Sequence, residues 1–373
     1  FILRETAACI SSCMSEKQRV YKLMADEFLI LDVSSDDTKE AGKLFIKIRE
    51  SIDQFVEEND FEVMYTISGG SLALHSSENI EYSKVMKLTD FSLNEAKKRG
   101  RNRCYIFDEK DYSRFIRKGE ITQELREATR NGFQGFVAFY QPVIEAKSGR
   151  LSGAESLMRF SSSKFGMVSP VEFIPILEET GLIIPVGRWM MKEAMEKCSQ
   201  IRKVIPGFKV NINISQVQVS KSDVIIDIAD EMEKAGLSPE AMNIELTESD
   251  LLEGDINTQH FLKELKRMGI KLALDDFGTG YSNFHYLSEL DPEIIKIDRS
   301  FTSSAVADEK EYYLLKQFCR MIHNLGLKIC IEGVENQEEW AKIQKLEPDF
   351  GQGFFWGRPC GYDEFVRQFI EKK

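Results

Sequence analysis

No run of apolar residues in this chain approaches the ~20 needed to cross a bilayer as a helix. The N-terminus also lacks the charged-then-apolar order of a secretory signal. It opens on FILRETAACIS without an initiator Met, so a preceding part is expected. Cysteine is sparse and scattered, seven in 373 residues, with only Cys9 and Cys13 close together. An odd, dispersed set argues against a disulfide framework and for a reducing, cytoplasmic setting. No further Cys or His pair completes a zinc site beside Cys9 and Cys13, which read as small buried apolar residues. Positive charge is short as well. With 49 Lys and Arg against 61 Asp and Glu, the net charge is -12. That disfavours nucleic acid as a partner, because displacing its counterions needs a basic face. A phosphorylated small molecule stays admissible if metal ions reverse the local sign.

What is present is enough apolar material, 42%, for an ordinary globular chain of two domains. Residues 1–108 hold a strand candidate at Glu27–Val33, a helical stretch at Asp37–Glu58, a second strand candidate at Phe61–Ile67 and another helix ending at KKRGRNRCYIF. This reads as a small α+β unit. Residues 109–132 are charged and helix-prone, with Gly132 placed to stop them, and read as a connecting helix. In residues 133–373 the rhythm changes to short apolar runs separated by helical stretches. These are FVAFYQPVI, LSGAESLMRF, KVNINIS, MNIELTES, KLALDDFG, EIIKIDR, KICIEGVE and FGQGFF. Several helices end in Gly just before the next run, at Gly236, Gly269 and Gly326, where Gly supplies the left-handed closing conformation. Before SPVEFIPILEETG, Ser169 is expected as N-cap with Pro170 at the first position, Glu172 completing a capping box and Gly181 as the stop. Eight strand–helix alternations fit a (β/α)₈ barrel. A doubly wound sheet fits less well, since the Gly-rich phosphate loop after its first strand is absent.

Each apolar run carries a polar residue that stability alone would not select. These are Glu155, Asn213, Glu245, the pair Asp275 and Asp276, Lys296, Glu332 and Gln352. In a barrel they converge at the C-terminal mouth. Singly, a Glu at a strand end is usually a solvated rim residue, an Asn a turn former and a Lys a snorkelling side chain. Together, several carboxylates in one mouth repel and lose solvation, and only a cation makes that tolerable near neutral pH. Oxygen ligands without Cys or His select Mg²⁺ or Mn²⁺ over zinc. Two adjacent aspartates suggest two ions, an arrangement suited to phosphoryl chemistry. Lys296 then steers or polarises the water or neutralises phosphate, and Glu332 takes a proton or orients the water. The following FGTGYSN is either a plain turn or a lid, with Glu248 as its anchor.

YQPVI, GAESLMRF, PVEFIPILEETGLI, NINIS, IELTES, LALDDFGTGYSN, IIKIDRSF, IEGVEN and QGFFWGRP, in this order and spacing, resemble the EAL-domain family of cyclic di-GMP phosphodiesterases. The resemblance implies a modified barrel whose first strand runs against the others, and opening of cyclic di-GMP to linear pGpG with two Mg²⁺ or Mn²⁺ ions. It implies Glu155, Asn213, Glu245 and Asp275 as metal ligands, and Asp276 as ligand of the second ion. Lys296 and Glu332 match the residues of water activation and second-ion support, and Gln352 the glutamine that positions water or the metal shell. Gln141 and Arg159 resemble substrate contacts, a guanidinium suiting a phosphate oxygen, and Glu335 a contact to a guanine edge. Ser156 stands where the family has Ala, with little effect expected. Barrels of the family often pair, so a homodimer is expected.

The N-terminal unit resembles the back half of a GGDEF domain. MADEF, residues 24–28, stands in the signature position, and AKKRGRNRCYIF matches the closing strand. Met24 and Ala25 replace the glycines whose bare backbone admits nucleotide phosphates, and SEKQ stands in place of the RxxD motif. This unit is expected to regulate or dimerise rather than to make cyclic di-GMP. The competing reading of the whole chain is a catalytically silent cyclic di-GMP receptor, disfavoured because no ligand position is lost.

Overall fold

The structure is a computed structural model that describes residues 1–34, 37–59, 65–74, 80–248, 256–278 and 292–371. It divides into two compact units, Phe1–Gly119 and Glu120–Lys373. The helix Glu109–Arg130 begins in the first. Its final turns bury Ile121, Leu125 and Ala128 in the second, against Phe136, Phe160 and Phe173. Among the described residues no helix is long and apolar enough to cross a membrane.

In the first unit, Asp37 caps the helix Thr38–Glu58 by accepting a hydrogen bond from the Lys39 amide. One turn apart on that helix, Ile48 and Ile52 pack on Cys9, Ile10 and Cys13, so the two thiols are buried core groups. A hairpin pairs Gln18–Lys22 with Phe28–Asp32. Met24–Glu27 of MADEF lie in its turn, and Ala25 takes a left-handed φ of 47° there, a conformation that glycine holds at less cost. The strand expected at Phe61–Ile67 needs correcting. Residues 61–64 lie outside the described residues, Tyr65–Ile67 are not in a strand, and the strand is Gly69–Ser71, parallel to Cys104–Ile106. A Cβ on Gly70 would meet the Leu93 backbone nitrogen at 2.2 Å. The backbone of the helix Tyr82–Lys98 thus demands glycine where an apolar alternation would have announced a strand.

The second unit is a closed eight-stranded barrel. Its strands are β1 (Phe136–Glu145), β2 (Leu151–Ser162), β3 (Lys209–Asn213), β4 (Met242–Thr247), β5 (Lys271–Phe277), β6 (Ile294–Ile297), β7 (Lys328–Ile331) and β8 (Phe350–Gly351). Neighbours pair in order from β2 to β8. The ring closes through β1, which runs antiparallel to both β2 and β8, while the others are parallel. Alternation along the strands separates two apolar layers. Val210, Ile212, Ile244, Leu246, Leu272, Leu274, Ile295 and Ile297 face the surrounding helices. Val143, Ala273, Ile294, Cys330 and Phe350 form a small inner cluster that plugs the barrel. β2 and β3 approach closely at Gly153, where a Cβ would lie 2.4 Å from the Lys209 carbonyl oxygen. Pro170–Thr180 is helical, but the Ser169 hydroxyl makes no cap bond, so the expected capping box is absent. The box forms instead at Ser215 and Gln218. There the side chain of Gln218 returns to the Ser215 amide and satisfies a donor at that helix's own N-terminus.

At the N-terminal rim Glu293 sits between Lys271 and Lys328, at 2.8 and 2.9 Å. Burial would raise its pKa, but hydrogen bonds from the two ammonium groups pull it down to about 2. Because the folded pKa lies below the unfolded one, this network stabilises the fold above the ordinary carboxylate pKa and loses its effect as pH falls toward 2. Glu293→Gln is therefore expected to lower the melting temperature by about 2–4 °C at pH 7. In calorimetric scans from pH 7 downward, the gap to the unsubstituted protein should begin to narrow below about pH 4 and close near pH 2.

Candidate active site

The inward positions above the inner plug are polar, and they recur every second residue. On β1 and β2 they are Gln141 and Glu155, which face each other across the ladder. β3 and β4 contribute Asn213 and Glu245, also direct partners. Lys296 follows Ile294 on β6, Glu332 follows Cys330 beyond β7, and Gln352 follows Phe350 beyond β8. A two-residue period carries each strand from the apolar plug to the site in a single step.

Lys296 is the centre of this arrangement, at 1% exposure. Its Nζ lies 2.8 Å from Glu332, 3.0 Å from Glu245, 3.1 Å from Asp275 and 3.3 Å from Glu155. Burial pulls the ammonium pKa down, but the surrounding carboxylates, led by Asp275, Glu155 and Glu245, raise it well above the usual lysine value. Glu155 accepts from Gln352 Nε2 at 2.6 Å and from Asn213 Nδ2 at 2.8 Å. Burial opposes its ionisation, yet Lys296 and those two amides hold its pKa below the ordinary range. Glu245, fully buried, is pushed the other way by burial and by the carboxylates of Glu155 and Asp275, with Lys296 only partly offsetting them. Glu332 is raised to about 8 by burial, again with Lys296 opposing. One ammonium does not neutralise this many carboxylates.

The end of β5 explains how two consecutive aspartates serve one site. The pairing with β6 shifts register between Leu274 and Phe277, and Asp276 takes a φ of 52°. Strict alternation would send the two side chains to opposite faces. A left-handed aspartate at a bulge turns both toward the mouth, at the cost of local strain. Carboxylate oxygens of Glu155, Glu245 and Asp275 lie within 4.8 Å of one another, as do those of Asp275, Asp276 and Glu332. The two triads share Asp275, and an all-oxygen set of this kind suits hard divalent cations. Glu248 accepts a hydrogen bond from the Gly278 amide at 2.8 Å and so ties down the turn after β5. The rest of FGTGYSN, including Gly280, lies outside the described residues.

Not every expected residue joins the cluster. Arg159 stands four residues beyond Glu155 on the same face of β2, ~13 Å farther toward the rim. Its guanidinium lies 5.6 Å from the Phe139 ring. Glu335 pairs with Arg299 at 2.7 Å and is exposed. Gln141 accepts from Gln352 at 3.1 Å and so borders the cluster. Sequence reasoning missed Asn211 and Asn243, which lie beneath Glu245, and Arg299. Asn211 was legible in principle, two residues before Asn213 on the same strand face.

The family model described as EAL domain matches residues 122–359, and the one described as Diguanylate cyclase, GGDEF domain matches residues 1–103. The chain belongs to the EAL domain family. It is 30% identical over its whole length to signaling protein YkoW of Bacillus subtilis, covering 46% of that protein. It is 28% identical, over 98% of its length, to the bifunctional diguanylate cyclase/cyclic di-GMP phosphodiesterase MucR of Pseudomonas aeruginosa, covering 53% of it. The chain thus spans about half the length of these relatives. Among solved structures, that of the MucR phosphodiesterase in complex with c-di-GMP matches with a TM-score of 0.62 and 29% identity. The match covers 66% of this chain and 99% of that one.

Removing the central ammonium should expose the repulsion that it offsets. Lys296→Met is expected to destabilise the metal-free protein by about 3–5 kcal/mol. In thermal melts with and without chelator, millimolar Mn²⁺ should restore a larger part of that loss than it adds to the unsubstituted protein.

Proposed function

We propose that the barrel hydrolyses one phosphodiester of cyclic di-GMP, giving linear 5'-pGpG, with two Mg²⁺ or Mn²⁺ ions. The observation that carries this reading is the pair of carboxylate triads sharing Asp275 in the mouth of an EAL-family barrel. The name and the solved complex of MucR supply the substrate class. Glu155, Asn213, Glu245 and Asp275 would hold one ion, and Asp275, Asp276 and Glu332 the other. Bound there, the ions supply Lewis acidity and neutralise charge on the attacking and leaving oxygens.

The chain's own groups do the rest. Once cations share the carboxylates, the Lys296 ammonium has donors to spare for the attacking water or a phosphoryl oxygen. Glu332, 2.8 Å from the Lys296 ammonium, is suited to orient the attacking water or take its proton. Water adds to phosphorus, the bond to the 3' oxygen breaks, and that oxygen leaves with a proton. Gln352 and Asn213 keep Glu155 ionised and oriented through the bonds described above. Arg159, nearer the rim, is placed to take the second phosphate of a cyclic dinucleotide. The N-terminal unit serves regulation or dimerisation in this reading, and the barrels pair.

Incubating the full chain with cyclic di-GMP and Mn²⁺ and separating the products by chromatography tests the proposal. Linear pGpG should accumulate, stop on chelation, and fall at least about a thousandfold with Glu155→Ala. Tight binding without turnover would instead make the chain a receptor and refute the hydrolase.

A further inference from the structure

The inner plug of the barrel is apolar except on one side. Where other strands point Val143, Ala273, Ile294, Cys330 and Phe350 inward, β3 and β4 point Asn211 and Asn243, 6% and 3% exposed. Burying an amide is unfavourable unless its groups are hydrogen-bonded. Here they form a directed chain. Asn243 Nδ2 donates to Asn211 Oδ1 at 2.8 Å, and Asn211 Nδ2 donates to Glu245 Oε1 at 2.7 Å. As a metal ligand the Glu245 carboxylate would be ionised and only accept, so it sets which end of Asn211 faces it, and Asn211 in turn sets Asn243. At the far end Asn243 Oδ1 is buried with no partner among the described residues. The pair therefore does not satisfy itself. A chain that leaves its last acceptor orphaned while delivering a donor to a buried carboxylate is organised around that carboxylate.

We propose that Asn211, aligned by Asn243, is a positioning residue for the metal site. It occupies Oε1 of Glu245 and leaves Oε2 to Lys296, at 3.0 Å. Without it the carboxylate is free to rotate about its last bond and to present either oxygen or both. Aligned amide dipoles also polarise one another toward the anion, strengthening the terminal bond. This inference rests on the reading of the acidic cluster as a metal site, and deepens it by assigning the group that orients one ligand.

The test uses Mn²⁺ alone, titrated calorimetrically into the full chain without nucleotide, for the unsubstituted protein, Asn211→Leu and Asn243→Leu. Leucine keeps the volume and removes the donor. Asn211→Leu is expected to weaken Mn²⁺ binding about tenfold or more. Its metal-free form should melt lower, because Asn243 Nδ2 loses its acceptor and Glu245 Oε1 its donor. Asn243→Leu should shift affinity in the same direction by a smaller factor. At saturating Mn²⁺ the KM for cyclic di-GMP should stay put. Unchanged Mn²⁺ affinity in Asn211→Leu overturns the proposal, as does a KM for cyclic di-GMP that rises at saturating Mn²⁺. Should Asn211→Leu fail to fold, unchanged affinity in Asn243→Leu overturns it. A lack of Mn²⁺ uptake by the unsubstituted protein would defeat the metal reading itself, and that arm separates the two failures.

Discussion

Four carboxylates crowd around a single buried ammonium, and the rest of the barrel is organised to make that tolerable. Left in water, Glu155, Glu245, Asp275 and Glu332 would separate. Inside the barrel the closed hydrogen-bonded ring forbids it, because each side chain is fixed to a strand whose neighbours on both sides are paired. Repulsion in a medium of reduced dielectric amounts to several kcal/mol, and Lys296 offsets only part of it. The outer layer of β-branched and leucine side chains packed under the helices supplies the compensating burial. The site is thus held against its own electrostatics by apolar packing one residue away on each strand. This is the stored asymmetry that a cation would relieve.

The two ends of the barrel show the same principle with opposite signs. At the N-terminal rim two ammonium groups, Lys271 and Lys328, meet one carboxylate, Glu293, and depress its pKa. At the mouth the carboxylates outnumber the ammonium, and Glu245 and Glu332 shift upward. A carboxylate fully paired at one end reads as stability. Surplus charge at the other reads as capacity for a ligand, the division expected of barrels generally.

Alternation carried most of the site across from sequence to structure. A strand that buries Ile244 and Leu246 outward must send Glu245 inward, so Glu155, Glu245, Lys296 and Gln352 were legible from their neighbours. Asn211 and Asn243 obey the same rule but were hidden. An asparagine in a strand resembles a turn former, and nothing local announces that a carboxylate on another strand will need its donor. The Gly69–Ser71 strand was missed because it has no side-chain pattern to read, its middle residue, Gly70, being dictated by a helix backbone alongside. Ser169 carries the signature of a capping box without forming one, whereas Ser215 and Gln218 form one. Cap chemistry depends on rotamers that spacing does not specify.

By itself the sequence determined the number of barrel strands, their alternating faces, the acidic character of the mouth and the family, since all are periodic or local properties of the chain. Only the tertiary structure decided that Lys296 meets four carboxylates at once, that Asp275 belongs to two triads, and that Arg159 and Glu335 stand apart from them. Those facts depend on barrel closure, on the register shift beside Asp276, and on the stagger between strands. Each arises from hydrogen bonding between segments far apart in sequence.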